Sequence, residues 1–270
     1  MKSNKFSTIT EASALIGYLS EPQRINNVRF FNKYMRLSSV VRLFSSGLLL
    51  INNPSRMNDL YEYKAFGEQA KWSKICFASF ITQSCESMAM WSMYAQPWTD
   101  GVMISIPVAA LKALLQNTHS LISAKYDENT RLFSPSDSSF NSDGIISITR
   151  VAYIDQNTLT VTNKDDRNTH FANPYRTPEL AGYIKDAAWS YEKEVRLRVD
   201  LPDSYAQDVA FLKLSEDFLN SICITTGPRF AGNALMALPE RYRPKVKIET
   251  SRFKEALAWI PCDNCDLKRN

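Results

Sequence analysis

The sequence predicts an α+β fold with a mixed, mostly antiparallel sheet flanked by short helices. Short apolar segments typical of strands are interleaved with short helical segments, without the uniform spacing of βαβ units. Neither an internal repeat nor a linker-like segment divides the chain. We therefore expect a single domain over residues 1–270, interrupted by two polar loop insertions.

In the first half, a short helix is predicted at residues 11–20. Ser38 and Ser39 are expected to provide the N-cap of an apolar helix, and Gly47 is expected to end it, because glycine favours the position just past a helix. The elements that follow are a strand at Leu48–Ile51, a helix at 60–72, a strand at Ile75–Phe80, a helix at Glu86–Tyr94, a strand at Gly101–Ile106 and a helix after Pro107.

In the second half, the polar residues 127–144 and 155–177 predict the two loop insertions. The elements expected around them are a strand at Ile145–Ile154, a helix from Pro178 to about Ala188, strands at Tyr191–Val199 and Ser221–Thr226, a helix at Pro228–Leu238 and a strand at Lys245–Thr250.

Composition narrows the class of protein. Of the 270 residues, 44% are hydrophobic and 22% charged, which excludes disorder, collagen and a coiled coil. The net charge of +4 permits a nucleic-acid or anionic partner without requiring one. The eight glycines are few for a fold that depends on glycine-rich phosphate loops, and no such motif is present.

Three features indicate a cytoplasmic protein. Residues 1–10 are polar and lack the apolar region of a signal peptide. No apolar segment approaches the length that spans a membrane. The five cysteines are odd in number and mostly far apart, which is typical of reduced thiols.

The predicted strand at residues 191–199 (YEKEVRLRV) carries the strongest chemical signal. Strand residues alternate between faces, so Glu192, Glu194, Arg196 and Arg198 share one side. Two carboxylates on one face raise each other's pKa unless a cation lies between them, and Arg196 is placed to be that cation. This face is either a solvated row of charges or part of a cleft with a catalytic carboxylate.

Other patterns are weaker. Trp91 and Tyr94 share a helix face, either as core residues or as a surface for a flat ring. Cys262 and Cys265 resemble half of a zinc site, for which the remaining ligands are missing from the motif. The basic residues between Arg241 and Lys247 form either a solvated face or a contact with a polyanion.

Several motifs together resemble a bacterial family catalogued as domain of unknown function 2971. They are GLLLINNPSRMNDLYE, CFASF, MWSMYA, WSYEKEVRL and ICITTG, in that order within about residues 30–230. The sequence departs from the family pattern at Leu60, where proline is usual, and at Met93, where histidine is usual. The second departure argues against a role for histidine at that position.

The layout of that family is similar to ADP-ribosyltransferases, which present three elements on a split sheet. The resemblance implies a protein that consumes NAD as its substrate. It implies that Glu194 stabilises the oxocarbenium-like ribose and that Glu192 orients or deprotonates the acceptor. For the remaining site residues it implies that Tyr94 and Trp91 stack on nicotinamide, Tyr34 holds the adenosine or ribose side, and Lys185 or Arg196 meets the pyrophosphate.

The acceptor implied by this resemblance is a protein or a nucleic acid, RNA or DNA. A toxin or antiphage defence effector is one context, with an antitoxin or regulatory partner. Two alternatives of other classes stay open. One is a metal-dependent nuclease with Asp59, Glu62, Glu192 and Glu194 as cation ligands. The other is a non-enzymatic binding module with the charged strand at a protein or nucleic-acid interface.

Overall fold

The computed structural model describes residues 28–54, 74–82, 85–116, 120–127, 129, 132–141, 146–154, 182–202, 205 and 209–254. The predicted helices at 11–20 and 60–72 and the predicted loop at 155–177 lie outside the described residues. So do four candidate ligands, Asp59, Glu62, Cys262 and Cys265.

The described part of the chain contains short strands and short helices in alternation. The strands are β1 (Phe30–Arg36), β2 (Leu48–Asn52), β3 (Ile75–Ile81), β4 (Gly101–Pro107), β5 (Ser120–Asp127), β6 (Leu132–Asn141), β7 (Ile146–Arg150), β8 (Ala152–Ile154), β9 (Ile184–Asp186), β10 (Glu194–Asp200), β11 (Val209–Lys213), β12 (Cys223–Thr226) and β13 (Lys247–Thr250). The helices are α1 (Leu37–Ser46), α2 (Met88–Tyr94), α3 (Val108–Gln116), α4 (Glu216–Asn220) and α5 (Ala234–Ala237), with 3₁₀ helices at Ala187–Glu192 and Glu240–Tyr242. The predicted α+β class is confirmed.

The described strands form a large open sheet in which most neighbours are antiparallel. Its order is β13-β12-β4-β1-β3-β2-β11-β5-β6, and β10 pairs with β3 and β7. The parallel pairs are β12 with β13 and, in a separate small sheet, β8 with β9. No described helix is long and apolar enough to cross a membrane.

The sheet is split where β3 meets its neighbours. β1 and β3 pair at Asn32 and Ile81, and β2 pairs with β3 at Asn52 and Phe77. In contrast, β10 pairs with β3 along its whole length, from Glu194 opposite Ile81 to Asp200 opposite Ile75. The strand with the charged residues is therefore anchored firmly to β3, beside the place where β1 diverges.

The main core lies on one face of β3 and β10. Alternate residues of β10 (Val195, Leu197, Val199) pack there with alternate residues of β3 (Cys76, Ala78, Phe80). α1 covers the same core with Val40, Leu43 and Phe44 and ends, as predicted, at Gly47 in the left-handed region with φ 69°. Its N-cap is Arg36, so Ser38 and Ser39 lie inside the helix and the predicted serine cap is wrong.

The polar segment 127–144 is not a loop over most of its length. β5 and β6 form an antiparallel pair, with β6 at the edge of the sheet. An edge strand needs one partner and can be polar on its exposed side, and it tolerates a proline such as Pro135. Leu121 and Ala124 of β5 bury their side chains, and β5 continues the sheet from β11.

The segments around β10 also differ from the predictions. The described end of the helix expected at Pro178–Ala188 is a turn at Gly182, then β9 and the first residues of the 3₁₀ helix. The strand expected at Tyr191 begins at Glu194, because Lys193 adopts φ 48° and separates it from the 3₁₀ helix. The predicted strand Ile145–Ile154 is interrupted at Val151, since β7 pairs with β10 and β8 with β9.

The last predicted helix is much shorter than expected. Within the described residues, the segment Pro228–Leu238 is helical at Ala234–Ala237. Asn233 caps this turn with its side chain, and Leu238 is already extended. The final strands are confirmed, although they are shortened to Cys223–Thr226 and Lys247–Thr250.

Candidate functional site

Glu194 and Arg196 lie on the face of β10 that is opposite the main core. Their side chains are buried all the same, with exposed fractions of 3% and 0%. Arg198, next on the same face, is half-buried and pairs with Asp200. The solvated row of charges considered from the sequence is therefore wrong for Glu194 and Arg196, because further elements cover this face.

Arg196 holds Glu194 in a fixed position. Its Nε donates to Glu194 Oε1 at 2.7 Å, and its Nη2 donates to Oε2 at 3.1 Å. Its Nη1 donates to the carbonyl of Gly182 at 2.7 Å, and the guanidinium lies 4.2 Å from the centroid of the Phe77 ring. A two-pronged contact of this kind orients a carboxylate as well as neutralising it.

Gly182 brings the turn before β9 against this guanidinium. It has φ 78°, a conformation that side chains disfavour. A Cβ at this position would lie 3.2 Å from Phe77 and 3.9 Å from Arg196 Nη1. The glycine therefore allows the backbone to approach closely enough for its carbonyl to bind Arg196.

Lys185, from β9, links the two glutamates. Its Nζ donates to Glu192 Oε2 at 2.6 Å and to Glu194 Oε2 at 3.4 Å. The lysine side chain is 2% exposed. The cation between the two carboxylates is therefore Lys185, whereas Arg196, which was predicted for that position, contacts Glu194 and not Glu192.

The backbone at Lys193 places Glu192 in this cluster. Glu192 is the last residue of the 3₁₀ helix, and its side chain is 3% exposed. The left-handed turn at Lys193 follows, and its backbone N–H donates to Ser190. Glu192 therefore reaches Lys185 from a helical turn, whereas the sequence predicts that it lies two residues back along the same strand.

Tyr94 binds the Glu192 oxygen that Lys185 does not contact. Its Oη donates to Glu192 Oε1 at 2.5 Å, and its side chain is half-buried at the end of α2. Ser87 starts this helix by accepting from the backbone N–H of Met90. Tyr94 is thus the member of the cluster nearest to solvent, and Glu192 is its direct partner.

The surroundings of Glu194 keep it ionised. Burial alone would raise its pKa, but the charges of Arg196 and Lys185 outweigh burial and lower that pKa to about 2. Burial by itself would lower the pKa of Lys185, but the charges of Glu194 and Glu192 outweigh burial and raise that pKa, so Lys185 stays a cation. Two carboxylates and two cations thus form a buried cluster with balanced charge.

Lys33 lies next to this cluster, although it was not among the predicted site residues. Its Nζ donates to the carbonyl of Ser79 on β3 at 2.9 Å, across the split between β1 and β3. Burial lowers the pKa of Lys33, while the charge of Glu194 acts in the opposite direction. A lysine within the aromatic segment FFNKYMR of the first strand was the available signal.

Tyr34 and Trp91 pack together beside the split rather than at the surface. Their rings meet edge to face at 4.7 Å, and they are 5% and 1% exposed. Tyr34 Oη accepts from the backbone N–H of Ser87, and burial raises its pKa to about 12. Trp91 Nε1 donates to Glu86 at 3.1 Å. This contact packs Trp91 of α2 against Tyr34 of β1 and so fixes α2 on the sheet.

Two aromatic side chains, Trp189 and Tyr191, and the thioether of Met93 contact one another beside Lys185, and we call these three residues the aromatic rim. Tyr191 and Met93 are 38% and 42% exposed, and Trp189 is half-buried. Trp189 and Tyr191 belong to the motif WSYEKEVRL, so a signal for them was present in the sequence. The charged residues of this motif were predicted to belong to the site, whereas these two rings were not.

The structure thus brings most of the predicted site residues together. Glu192, Glu194, Lys185, Arg196 and Tyr94 are in direct contact through hydrogen bonds. Tyr34 and Trp91 belong to a neighbouring cluster that also contains Ile81, the residue opposite Glu194 in the sheet.

The basic stretch near the C-terminal end is largely neutralised. Lys245 pairs with Glu216, and Lys247 pairs with Glu249. Arg243 donates to the carbonyls of Leu238 and Met236. These contacts favour a solvated face over a polyanion-binding surface.

Comparison with known proteins gives one match. The model of a family described as "Protein of unknown function (DUF2971)" matches residues 90–197, which is less than half of the chain. The match includes α2 from Met90 onwards and ends within β10. It therefore contains all five residues of the hydrogen-bonded cluster, from Tyr94 to Arg196. It supports the family resemblance drawn from the motifs. No curated protein and no solved structure is similar to the chain at a significant level.

Proposed function

We propose that this protein transfers an ADP-ribosyl group from NAD to a protein or nucleic acid. The observation that carries this proposal is a connected cluster of hydrogen bonds: Tyr94 of α2 donates to Glu192, and Lys185 of β9 bridges Glu192 and Glu194. A resemblance to ADP-ribosyltransferases implied roles for these same residues. A buried acid cluster with a half-buried tyrosine at its outer end suits transfer of a glycosyl group.

The proposed role of Glu194 follows from its charge. Cleavage of the bond between nicotinamide and ribose leaves positive charge on the sugar, which a fixed carboxylate stabilises. Arg196 and Lys185 keep the Glu194 carboxylate ionised, with its pKa at about 2, and hold it in one orientation. Such an acid does not need to reorganise as charge develops on the substrate.

Glu192 and Tyr94 are proposed to act on the acceptor. Tyr94 lies nearest to solvent and donates to Glu192, so the pair connects an incoming nucleophile with a buried carboxylate. A proton leaving the acceptor is taken by the Glu192 carboxylate, either directly or through the Tyr94 hydroxyl. Substrate approach from this side also places the ribose between the two glutamates and the surface.

The roles of the other predicted residues are revised by their contacts. Lys185 and Arg196 use their donors on the two carboxylates, so we assign them to positioning these acids instead of binding pyrophosphate. Tyr34 and Trp91 pack against each other and offer little exposed ring surface. We assign this contact, between Trp91 of α2 and Tyr34 of β1, to holding α2 and with it Tyr94 in place.

The two alternative functions have less support from the geometry. Each of the four carboxylate oxygens of Glu192 and Glu194 already accepts a hydrogen bond from Tyr94, Lys185 or Arg196, so direct coordination of a divalent cation would have to displace these donors. Among the described residues, no group of three or more histidine, cysteine or acidic side chains is arranged to hold a metal. A binding interface on the charged strand requires exposed charges, whereas Glu194 and Arg196 are buried.

The test is transfer of label from labelled NAD in a cell extract. Glu194→Gln is expected to lower transfer by at least about 100-fold, since one fixed electrostatic group is typically worth 10²–10³ in rate. Asp200→Asn is the matched control, because Asp200 lies on the same face of β10 and pairs with Arg198 away from the cluster. Circular dichroism checks that each variant is folded.

Two results would contradict the proposal. Equal transfer by the wild type and Glu194→Gln removes Glu194 from the mechanism. Absence of transfer, combined with Mg²⁺-dependent cleavage of nucleic acid that EDTA abolishes, favours the nuclease. A melting temperature raised by NAD or ADP-ribose, but not by Mg²⁺, supports the transferase, because a ligand that prefers the native state stabilises it.

A further inference from the structure

The aromatic rim of Trp189, Tyr191 and Met93 has no role in the chemistry proposed above. Tyr191 directly precedes Glu192, and Met93 directly precedes Tyr94, so the rim borders the acid pair on two elements. Tyr191 and Met93 are exposed, and they are the large hydrophobic side chains next to the site that face solvent within the described chain. An exposed aromatic surface beside a buried polar cluster is suited to receive a flat, partly apolar group.

The rim is held in a fixed shape. Tyr191 Oη donates to Met93 Sδ at 3.1 Å, which joins the 3₁₀ helix to α2. The rings of Trp189 and Tyr191 lie 6.2 Å apart with an interplanar angle of 33°. Asp186 caps the 3₁₀ helix that carries both rings by accepting from the backbone N–H of Ala188. The surface is therefore largely formed before any ligand arrives.

The ammonium of Lys185 lies against one face of the Trp189 ring and influences which ligand ring can stack on the other face. Lys185 Nζ lies 4.5 Å from the centroid of the Trp189 ring, and its side chain is 2% exposed, so it occupies the inner side. An ammonium on one face of an aromatic ring is attracted by the π electrons and draws them towards itself. The outer face then favours a neutral, electron-rich ring and disfavours a second cation.

We propose that the rim binds an unpaired nucleobase, and that the acceptor of this protein is single-stranded nucleic acid. The inference rests on the proposed transferase function and names its acceptor class. Nucleobases are neutral rings that stack on tryptophan and tyrosine with little dependence on sequence. Lys193, exposed directly after Glu192, and the net charge of +4 suit a phosphate backbone that runs past the rim.

The position of the rim is consistent with the transfer step. A base that stacks on Tyr191 and Trp189 brings its nitrogen or oxygen nucleophile towards Tyr94 and Glu192. The bond between the ribose C1′ and nicotinamide breaks with its electron pair on nicotinamide, which leaves as a neutral molecule. The base forms the new bond to C1′, and its proton passes to the Glu192 carboxylate.

The test measures binding of short, fluorescently labelled single-stranded oligonucleotides by anisotropy, without NAD. Trp189→Leu is expected to weaken binding about 10- to 100-fold, the range expected for loss of one or two base–aromatic stacks. Trp98→Leu is the matched control, because Trp98 is also half-buried and has the guanidinium of Arg229 over its ring at 5.3 Å. This control is expected to bind as the wild type does.

Tyr191→Leu is a second variant, and it is expected to weaken binding by a similar factor. Because Tyr191 is exposed, its replacement removes little packing and leaves the fold intact. Wild-type protein that does not bind single strands, or that binds as tightly after Trp189→Leu or Tyr191→Leu, overturns the inference. So does tighter binding of a duplex than of a single strand.

The two proposals fail in different assays. The anisotropy experiment contains no NAD, so its result does not depend on catalysis. Oligonucleotide binding that requires Trp189, together with no label transfer from NAD, contradicts the transferase and supports the base-binding rim. Label transfer to protein alone, with no oligonucleotide binding, supports the transferase and overturns the rim as a nucleobase site.

Discussion

Replacement of Arg196 by methionine tests whether the buried acid cluster depends on its cation. The guanidinium is fully buried and makes two contacts with Glu194 and one with the carbonyl of Gly182. Methionine keeps much of the side-chain volume and removes all three donors. Glu194 is then left buried with Lys185, whose Nζ lies 3.4 Å away, as its cation.

The expected cost is about 3–5 kcal/mol in the free energy of unfolding, which is typical when one partner of a buried ion pair is removed. The unpaired Gly182 carbonyl contributes to this cost, since a buried group without a partner loses about 1–3 kcal/mol. Arg198→Met is the matched control on the same strand and face. Arg198 is partly exposed and pairs with a half-exposed Asp200, so its replacement costs about 1 kcal/mol.

Urea denaturation followed by circular dichroism measures the difference. With a denaturant slope of about 3 kcal/mol per molar, the Arg196→Met midpoint falls by about 1–1.7 M and that of Arg198→Met by about 0.3 M. The double variant Glu194→Leu/Arg196→Met is expected to recover part of the loss, because the buried charge is removed with its partner. Equal midpoints for Arg196→Met and Arg198→Met would refute this account of the cluster.

The remaining predictions concern pH and the Gly182 turn. The pKa of Glu194 is lowered from 4.5 to about 2 in the folded protein, so its contribution to stability is fully present above pH 4.5 and is lost as the pH falls towards 2. The urea midpoint of the wild type should therefore fall more steeply over this range than that of Glu194→Gln, and parallel curves would contradict it. Gly182→Ala, at φ 78° and close to Phe77, is expected to lower the free energy of unfolding by about 1–2 kcal/mol or more. Gly232→Ala is the control, since Gly232 has no positive φ and an added Cβ there would lie 3.1 Å from the far end of the partly buried Phe230 ring, a distance similar to that at Gly182.

Local patterns determined several elements of the fold without reference to the rest of the chain. The apolar strands β3 and β4 and the helix ended by Gly47 were predicted close to their observed bounds. In each case neighbouring residues supply the signal, either as a continuous apolar segment or as a glycine in the left-handed region. The alternation that places Glu194 and Arg196 on one face of β10 has the same local origin.

Long-range packing decided the remainder. β6 is polar and contains Pro135, so its own sequence favours a loop, and it becomes a strand because β5 provides a partner. Lys193 adopts a left-handed backbone conformation although it is not a glycine, so the local sequence does not predict this turn. Alternation separates the two faces of β10, but it does not say that α2, β9 and the 3₁₀ helix cover the charged one.

For the candidate site, the sequence by itself determined which side chains carry charge and that Glu194, Arg196 and Arg198 share a strand face. The tertiary structure alone decided that Lys185 lies between Glu192 and Glu194, that Tyr94 reaches Glu192, and that Trp189 covers Lys185. The physical reason is that a charge acts through its surroundings. The same glutamate is a solvated surface group in water and a fixed, ionised acid when a buried arginine and lysine surround it.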